Sequence, residues 1–254
     1  MIRIHLAKIS LLETAEKRVL LRDIAFAMSA QNIYTIIGKN GEGKTTLLKA
    51  VTNFLDENVF SISGAVEYEG INLLSLPQKS LAELRKAKIQ YVFQDPVNAF
   101  DPLKKIGYYF KLSSFDEDEI KQEFEDFNLA APSKIFSLYP YEVSGGMAQR
   151  IAIILALLKK PKFLLLDEPT SGIDGETILL VKERLKKYVS QNNAAVLIIT
   201  QDLSFAENVT NYIAYLEEGR LSEFVSYKDF FANESPSIKN FLNAYKRLNN
   251  AAVS

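Results

Sequence analysis

Residues 33–46 read IYTIIGKNGEGKTT, and the fold is decided here. Residues 33–37 are a short β-rich run, the next stretch is glycine-rich, and LLKAVTNFL behind it has helical character. A strand, a glycine loop and a helix in immediate succession predict an α/β layout. Gly38, Gly43, Lys44 and Thr45 satisfy the spacing G-x-x-x-x-G-K-[ST], with an extra Gly41 inside the loop. Glycines at such positions let backbone N–H groups turn inward and cradle phosphate oxygens. The helix that follows offers its positive N-terminal end to the same anion. Lys44 would meet the β- and γ-phosphates, and the Thr45 hydroxyl would ligate Mg2+. Lys39, Asn40 and Thr46 belong to the same stretch and are counted with it as candidate phosphate-binding residues.

The rest of the composition narrows the chemistry. A chain of 254 residues suits one large domain, or one domain carrying a lobe. Lys and Arg total 30 against 31 Asp and Glu, so no global basic field gathers nucleic acid. With no Cys, disulfides, thiolate zinc sites, iron–sulfur clusters and cysteine nucleophiles are excluded. A single His, His5, excludes a multi-histidine metal site, and it reads as a strand residue near the surface. The opening MIRIHLAKIS holds no apolar core of signal-peptide length. The apolar run at residues 151–158 ends at Lys159 and Lys160, well short of a bilayer span. The expectation is a soluble intracellular protein that reaches a membrane only through a partner.

Along the chain, the first 30 residues read as two strands joined by a charged turn at residues 13–18. ISGAVEYEG alternates as a strand, SLAELRKAK reads as a helix, and KIQYVF is a strand that ends at Gln94. Residues 95–160 contain no convincing strand and are expected to form a helical lobe inserted into an α/β core made of residues 1–94 and 161–254. Residues 163–166 and 194–200 are apolar runs typical of buried parallel strands. The helix between them carries Ile178, Val181, Leu185 and Tyr188 on one face. Residues 212–224 look like a hairpin turning at Glu218 and Gly219. The tail from Ser237 places Ile238, Phe241, Leu242, Tyr245 and Leu248 at helical spacing, which suits packing on the chain's own core.

FLLLDEP, residues 163–169, supplies the second half of the chemistry. An apolar strand ending in Asp167 puts one carboxylate at the carboxyl edge of the sheet, where it can hold Mg2+ through water. Glu168 is then placed to activate the attacking water. With no His downstream of position 5, it is the best base candidate in the chain.

With these residues in hand, the chain resembles the ATP-binding cassette (ABC) family over nearly its whole length. Gln94, in YVFQDP, matches that family's Q-loop; VSGGMAQR at residues 143–150 resembles its LSGGQ signature; SGID at residues 171–174 resembles its D-loop. The resemblance implies a P-loop NTPase core with a parallel sheet, an N-terminal antiparallel β subdomain and an inserted helical subdomain. It also implies ATP and Mg2+ as cofactors, with Gln94 joining Thr45 and Asp167 at the metal and joining Glu168 in catalysis. Ser144, Gly145 and Gly146 then form a second anion site at a helix N-terminus. In this family that site closes over ATP held by the other subunit of a head-to-tail dimer.

FQDPVNAFDPLKKIG and YPYEVSGGMAQR look like the ATPases of the dipeptide, oligopeptide and nickel importers. Larger peptide-type members often carry a cysteine-rich C-terminal segment; a chain without Cys looks like a short member of the nickel or metal-chelate kind. The implied partners are a second cassette ATPase, two transmembrane permease subunits and, through these, an extracellular binding protein. The implied location is the cytoplasmic face of the membrane, without nucleic acid. An export-type ATPase and a cassette ATPase without a transport role are the alternatives. Tandem cassettes, sustained heptads or a basic block would mark the last of these, and the sequence has none.

Two departures from the family stand out. Its last core strand usually ends with a His before Asp, the H-switch, whereas this chain reads IITQD and has Gln201 there. Glutamine can hydrogen-bond a phosphate oxygen or a water but cannot titrate near neutral pH. The expectation is a site that binds ATP well and hydrolyses it slowly, paired with a paralogue in a heterodimer. The second departure is at residues 7–18, AKISLLETAEKR, which offer no aromatic ring for adenine and only Leu11 or Leu12 in its place.

Overall fold

Strict alternation opens the structure. Ile2, Ile4 and Leu6 are buried, while Arg3 and His5 between them face solvent, the period-2 pattern of a strand lying on a core. The computed structural model describes residues 1–12, 18–113, 115–207, 209–233 and 235–251. The turn expected at residues 13–18 therefore lies outside the described residues, except for Arg18.

In chain order, β1 (Ile2–Leu11), β2 (Arg18–Met28) and β3 (Asn32–Ile37) precede α1 (Lys44–Val51), β4 (Phe60–Tyr68) and β5 (Ile71–Asn72). Helix α2 (Gln78–Lys88) runs directly into β6 (Ile89–Val92). Then come α3 (Pro96–Ala99), α4 (Ile106–Leu112), α5 (Glu117–Asp126), α6 (Pro132–Ile135) and α7 (Gly145–Leu158), with no strand among the described residues of this stretch. Alternation resumes with β7 (Phe163–Asp167), α8 (Gly175–Asn192), β8 (Ala195–Thr200), α9 (Leu203–Ala206) and β9 (Tyr212–Glu217). The last elements are β10 (Arg220–Leu221), β11 (Val225–Ser226), α10 (Tyr227–Phe231) and α11 (Pro236–Ala251).

Two sheets result. One is antiparallel, in the order β2-β1-β4-β5. The other runs β10-β9-β3-β8-β7-β6, and its members from β9 to β6 are mutually parallel. Every residue of β7 and β8 is buried, as expected of parallel strands covered on both faces. Parallel pairing brings the carboxyl ends of β6, β7, β8 and β3 to one edge in that order. At about 4.8 Å per strand, those four ends span roughly 14 Å. The loops leaving them are therefore neighbours, whatever their separation in sequence.

Helix caps follow the sequence. Asp174 caps α8 by accepting from the Thr177 N–H at 2.8 Å, and Ser144 caps α7 by accepting from the Met147 N–H at 3.2 Å. The face of α8 expected to be apolar buries Val181, Leu185 and Tyr188. Between α8 and α5, the Arg184 guanidinium donates to the Glu123 carboxylate and lies 3.6 Å from Asp126. The tail helix α11 packs on this chain, with Ile238 and Leu242 buried and the Phe241 ring 4.9 Å from that of Tyr215. The Leu248 side chain lies outside the described residues.

The hairpin β9–β10 turns at Glu218 and Gly219, both with positive φ (48° and 73°), the signature of a two-residue type I′ turn. A Cβ on Gly219 would also overlap the backbone carbonyl of Leu20. Gly219→Ala is expected to cost about 1–3 kcal/mol, read as a lower urea midpoint. Gly175→Ala, where a Cβ meets open space at the start of α8, is expected to leave the midpoint unchanged or raise it.

Candidate functional site

The loop after β3 is shaped by two glycines. A Cβ on Gly38 would sit 2.5 Å from the Leu216 carbonyl oxygen of β9, and backbone cannot give way there. Gly43, at φ +94°, holds a conformation side chains rarely adopt and caps α1. Leu47, Leu48, Ala50 and Val51 anchor α1 in the core behind the loop. Lys44 folds back over the loop and donates from Nζ to the carbonyls of Gly38 (2.9 Å) and Lys39 (3.0 Å). Its ammonium lies 3.8 Å from Glu168 Oε1, with both side chains nearly buried. Burial lowers the Lys44 pKa, and the carboxylates of Glu168, Asp167 and Glu42 oppose that shift.

Asp167 ends β7 and is 1% exposed. Its Oδ1 accepts from the Thr45 hydroxyl at 3.2 Å and its Oδ2 from the Tyr91 hydroxyl at 2.8 Å. Burial raises its pKa, while the bonds from Tyr91 and Thr45 and the nearby lysines hold it back. Tyr91 is itself pushed far up, by burial first and then by the Asp167 charge, so it remains a proton donor. Glu168 follows at φ +46°, an uncommon backbone conformation for a residue with a side chain. Its Oε2 accepts from the Thr200 hydroxyl at 2.9 Å and from the Gln201 backbone N–H at 3.3 Å. Burial raises the Glu168 pKa against the pull of Thr200 and Lys44. A carboxylate raised in this way suits general-base work.

A cavity of about 400 Å³ opens above these groups. Asn40, Gly41, Gly43, Lys44, Thr45 and Thr46 form its floor, and Gln94, Glu168 and Gln201 reach it from the ends of β6, β7 and β8. A neighbouring cavity of about 490 Å³ shares Thr45 and Gln94 and extends to Asp167 and Phe93. Gly38 and Lys39 contribute their carbonyls to Lys44. The structure thus gathers the loop, Gln94, Asp167, Glu168 and Gln201 but leaves Ser144, Gly145 and Gly146 apart. Those three sit at the N-terminus of α7 and do not line either cavity.

The donor set fits Mg2+. The Thr45 hydroxyl and the Asp167 carboxylate converge, and Gln94 shares a cavity wall with both. These are hard oxygen donors, suited to an ion that keeps waters and takes few carboxylates. Among the described residues no cluster of three His, Cys, Asp or Glu offers a metal cage. Two contributors went unread in the sequence, Tyr91 and Thr200. A hydroxyl at the end of the aliphatic run AVLIIT was the available signal for Thr200; for Tyr91 there was only its place two residues before the end of a strand run.

Residues 21–171 match the family model described as ABC transporter. The oligopeptide transport ATP-binding protein OppD of Lactococcus lactis subsp. cremoris is 30% identical over 220 residues, 83% of this chain and 65% of that protein. The nickel import ATP-binding protein NikD of Brucella abortus biovar 1 is 30% identical over 235 residues, 89% of this chain and 87% of that protein. The chain thus spans about two thirds of the length of its oligopeptide-transport relative and most of the nickel-import one. Among solved structures, a dimeric ATP-binding cassette in a post-hydrolysis state bound to ADP and Pi superposes with a TM-score of 0.78 at 22% identity, covering 89% of this chain and 98% of the other. An ATP-binding subunit of an ABC transporter superposes at 0.75 and 23% identity, covering 96% and 98%. At these identities the superpositions speak for the fold.

The raised pKa of Glu168 has a consequence for stability. Above its folded-state pKa the buried carboxylate is ionised at a cost to folding; below the unfolded value, about 4.3, both states are protonated and the cost vanishes. Glu168→Gln is therefore expected to melt above the parent at about pH 8 and to converge on it at about pH 4, as read by thermal unfolding midpoints.

Proposed function

This chain belongs to the ABC transporter family, and from that premise we propose that it is the ATP-binding and ATP-hydrolysing subunit of a multi-subunit importer of the peptide or nickel type. One observation carries the reading: two adjacent pairs, Lys44 with Glu168 and Thr45 with Asp167, stand side by side at the carboxyl edge of the parallel sheet. In that reading the N–H groups of residues 38–46 and the Lys44 ammonium bind the phosphates of ATP. Thr45, Gln94 and Asp167 would hold Mg2+, which would supply charge neutralisation at the phosphates. Glu168, kept basic by burial and aimed by Thr200 and the Gln201 N–H, orients a water and takes its proton. Gln201 faces the same cavity with an amide that can hydrogen-bond but not titrate.

Ser144, Gly145 and Gly146 stand away from the chain's own cavity, which supports a composite site completed across a head-to-tail dimer. Gln201 favours a heterodimer in which the partner's phosphate loop and Asp-Glu pair, closed by this chain's Ser144, do most of the turnover. Residues 95–160 act as the inserted helical lobe, and the groove around Gln94 and residues 95–105 receives a cytoplasmic helix of a permease subunit. Among the described residues no helix is long and apolar enough to cross a membrane; in this reading the pore is built by two permease subunits, which receive cargo from a binding protein. The chain then sits peripherally on the cytoplasmic face of the membrane. The nickel-import relative, covered over 87% of its length, supports a metal or metal-chelate cargo beside the peptide one.

Tagged purification from native membranes in mild detergent, followed by mass spectrometry, tests the assignment. Two polytopic membrane proteins and a second cassette ATPase are expected; ribosomal or DNA-repair proteins without any membrane protein would overturn it. In the assembled complex, Gln201→His is expected to raise ATP turnover. One well-placed transition-state contact is worth about 10²–10³ in rate, and an unchanged rate would show that Gln201 is an adequate substitute.

A further inference from the structure

Tyr91 opens the stretch YVFQDP that carries Gln94, but the motif gives it no role; in the structure it holds one side of the carboxylate on which the metal reading rests. Its hydroxyl donates to Asp167 Oδ2 at 2.8 Å, and among the described residues it is the only donor to that oxygen. The other oxygen, Oδ1, faces Thr45 at 3.2 Å. We propose that Tyr91 is a positioning residue that fixes the plane of the Asp167 carboxylate, keeping Oδ1 toward Thr45 and the divalent cation. This rests on the reading of Asp167 and Thr45 as the Mg2+-holding pair.

A carboxylate at a strand end turns broadly about its last side-chain torsion, and one donor leaves that rotation loose. Donors on opposite oxygens, from α1 on one side and β6 on the other, remove it. The aim of the Tyr91 hydroxyl is in turn set by where its ring sits. That ring lies 4.4 Å from Phe93 and 6.1 Å from Phe54 between centroids. The Arg85 guanidinium lies 3.8 Å over Phe54 and is pinned by bonds to the Thr52 carbonyl at 3.0 and 2.6 Å. The aromatic seat is thus anchored on α2 and on the turn after α1, independently of the hydroxyl. Removing the hydroxyl leaves the seat in place, so the two contributions separate cleanly. A buried tyrosine hydroxyl needs an acceptor in any fold. Asp167 as a mere acceptor would make Tyr91 matter for stability alone, whereas a positioning role makes it matter for the metal.

The test uses the full chain loaded with a non-hydrolysable ATP analogue and titrated with Mn2+, free Mn2+ being read by electron paramagnetic resonance. Three proteins are compared: the parent, Tyr91→Phe and Asp167→Asn. Tyr91→Phe is expected to weaken Mn2+ binding about tenfold, the usual loss when a partner that orients a metal ligand is removed. Affinity for the same analogue in EDTA is expected to stay at the parent value. If Asp167→Asn weakens Mn2+ binding and Tyr91→Phe matches the parent, the positioning role is overturned and the metal assignment stands. If Asp167→Asn also matches the parent, the assignment of Asp167 to the metal fails, and the role of Tyr91 falls with it. Loss of analogue affinity in EDTA for Tyr91→Phe would point to a displaced phosphate loop and overturn the proposal as well.

Discussion

The parallel pairing of β3 with β8, and of β8 with β7 and β7 with β6, is the constraint on which the rest depends. Parallel strands must return to the same end before pairing again, so each contributes its carboxyl end to one edge. Gly38, Gln94, Glu168 and Gln201 come from four separate segments and meet only because their strands are neighbours in this order. The close approach of Gly38 to the β9 carbonyl shows how tightly the loop is built onto that framework.

The edge so formed is electrostatically expensive. Lys44, Asp167 and Glu168 are all largely buried, and burial is the leading influence on each of their pKa values. Mutual pairing and hydrogen bonds from Thr45, Tyr91 and Thr200 offset part of that cost. An apolar set of similar volume would serve stability as well or better. What the buried charges supply instead is a group of donors and acceptors facing a cavity, the groups that meet phosphate and metal in the proposed reading. The site is therefore a place where folding gives up some free energy to hold chemistry in register.

The same geometry divides the molecule's function. Everything around Lys44 is assembled within one chain, whereas Ser144, Gly145 and Gly146 cap a helix that the cavity does not touch. In the proposed reading that helix N-terminus is one half of an anion site, and a second subunit supplies the other. The Arg184 bonds to Glu123 tie α8 to α5 and so connect the sheet's covering helix to the helices between β6 and β7.

Local features were legible in the sequence because their causes are local. The glycine spacing of residues 38–43, the acidic end of an apolar strand at Asp167 and Glu168, and the helical spacing in α8 and α11 follow from backbone sterics and periodicity within a few residues. The two strands of the first 30 residues and the hairpin at Glu218 and Gly219 could be read for the same reason. Tyr91 and Thr200 could not. Tyr91 meets Asp167 across 76 positions and Thr200 meets Glu168 across 32. Which hydroxyl reaches which carboxylate depends on strand order and register, and these are set by packing between distant segments. The sequence by itself determined which groups are the candidates for phosphate and metal; only the tertiary structure decided which neighbours aim them, because that aim is a property of the assembled sheet edge.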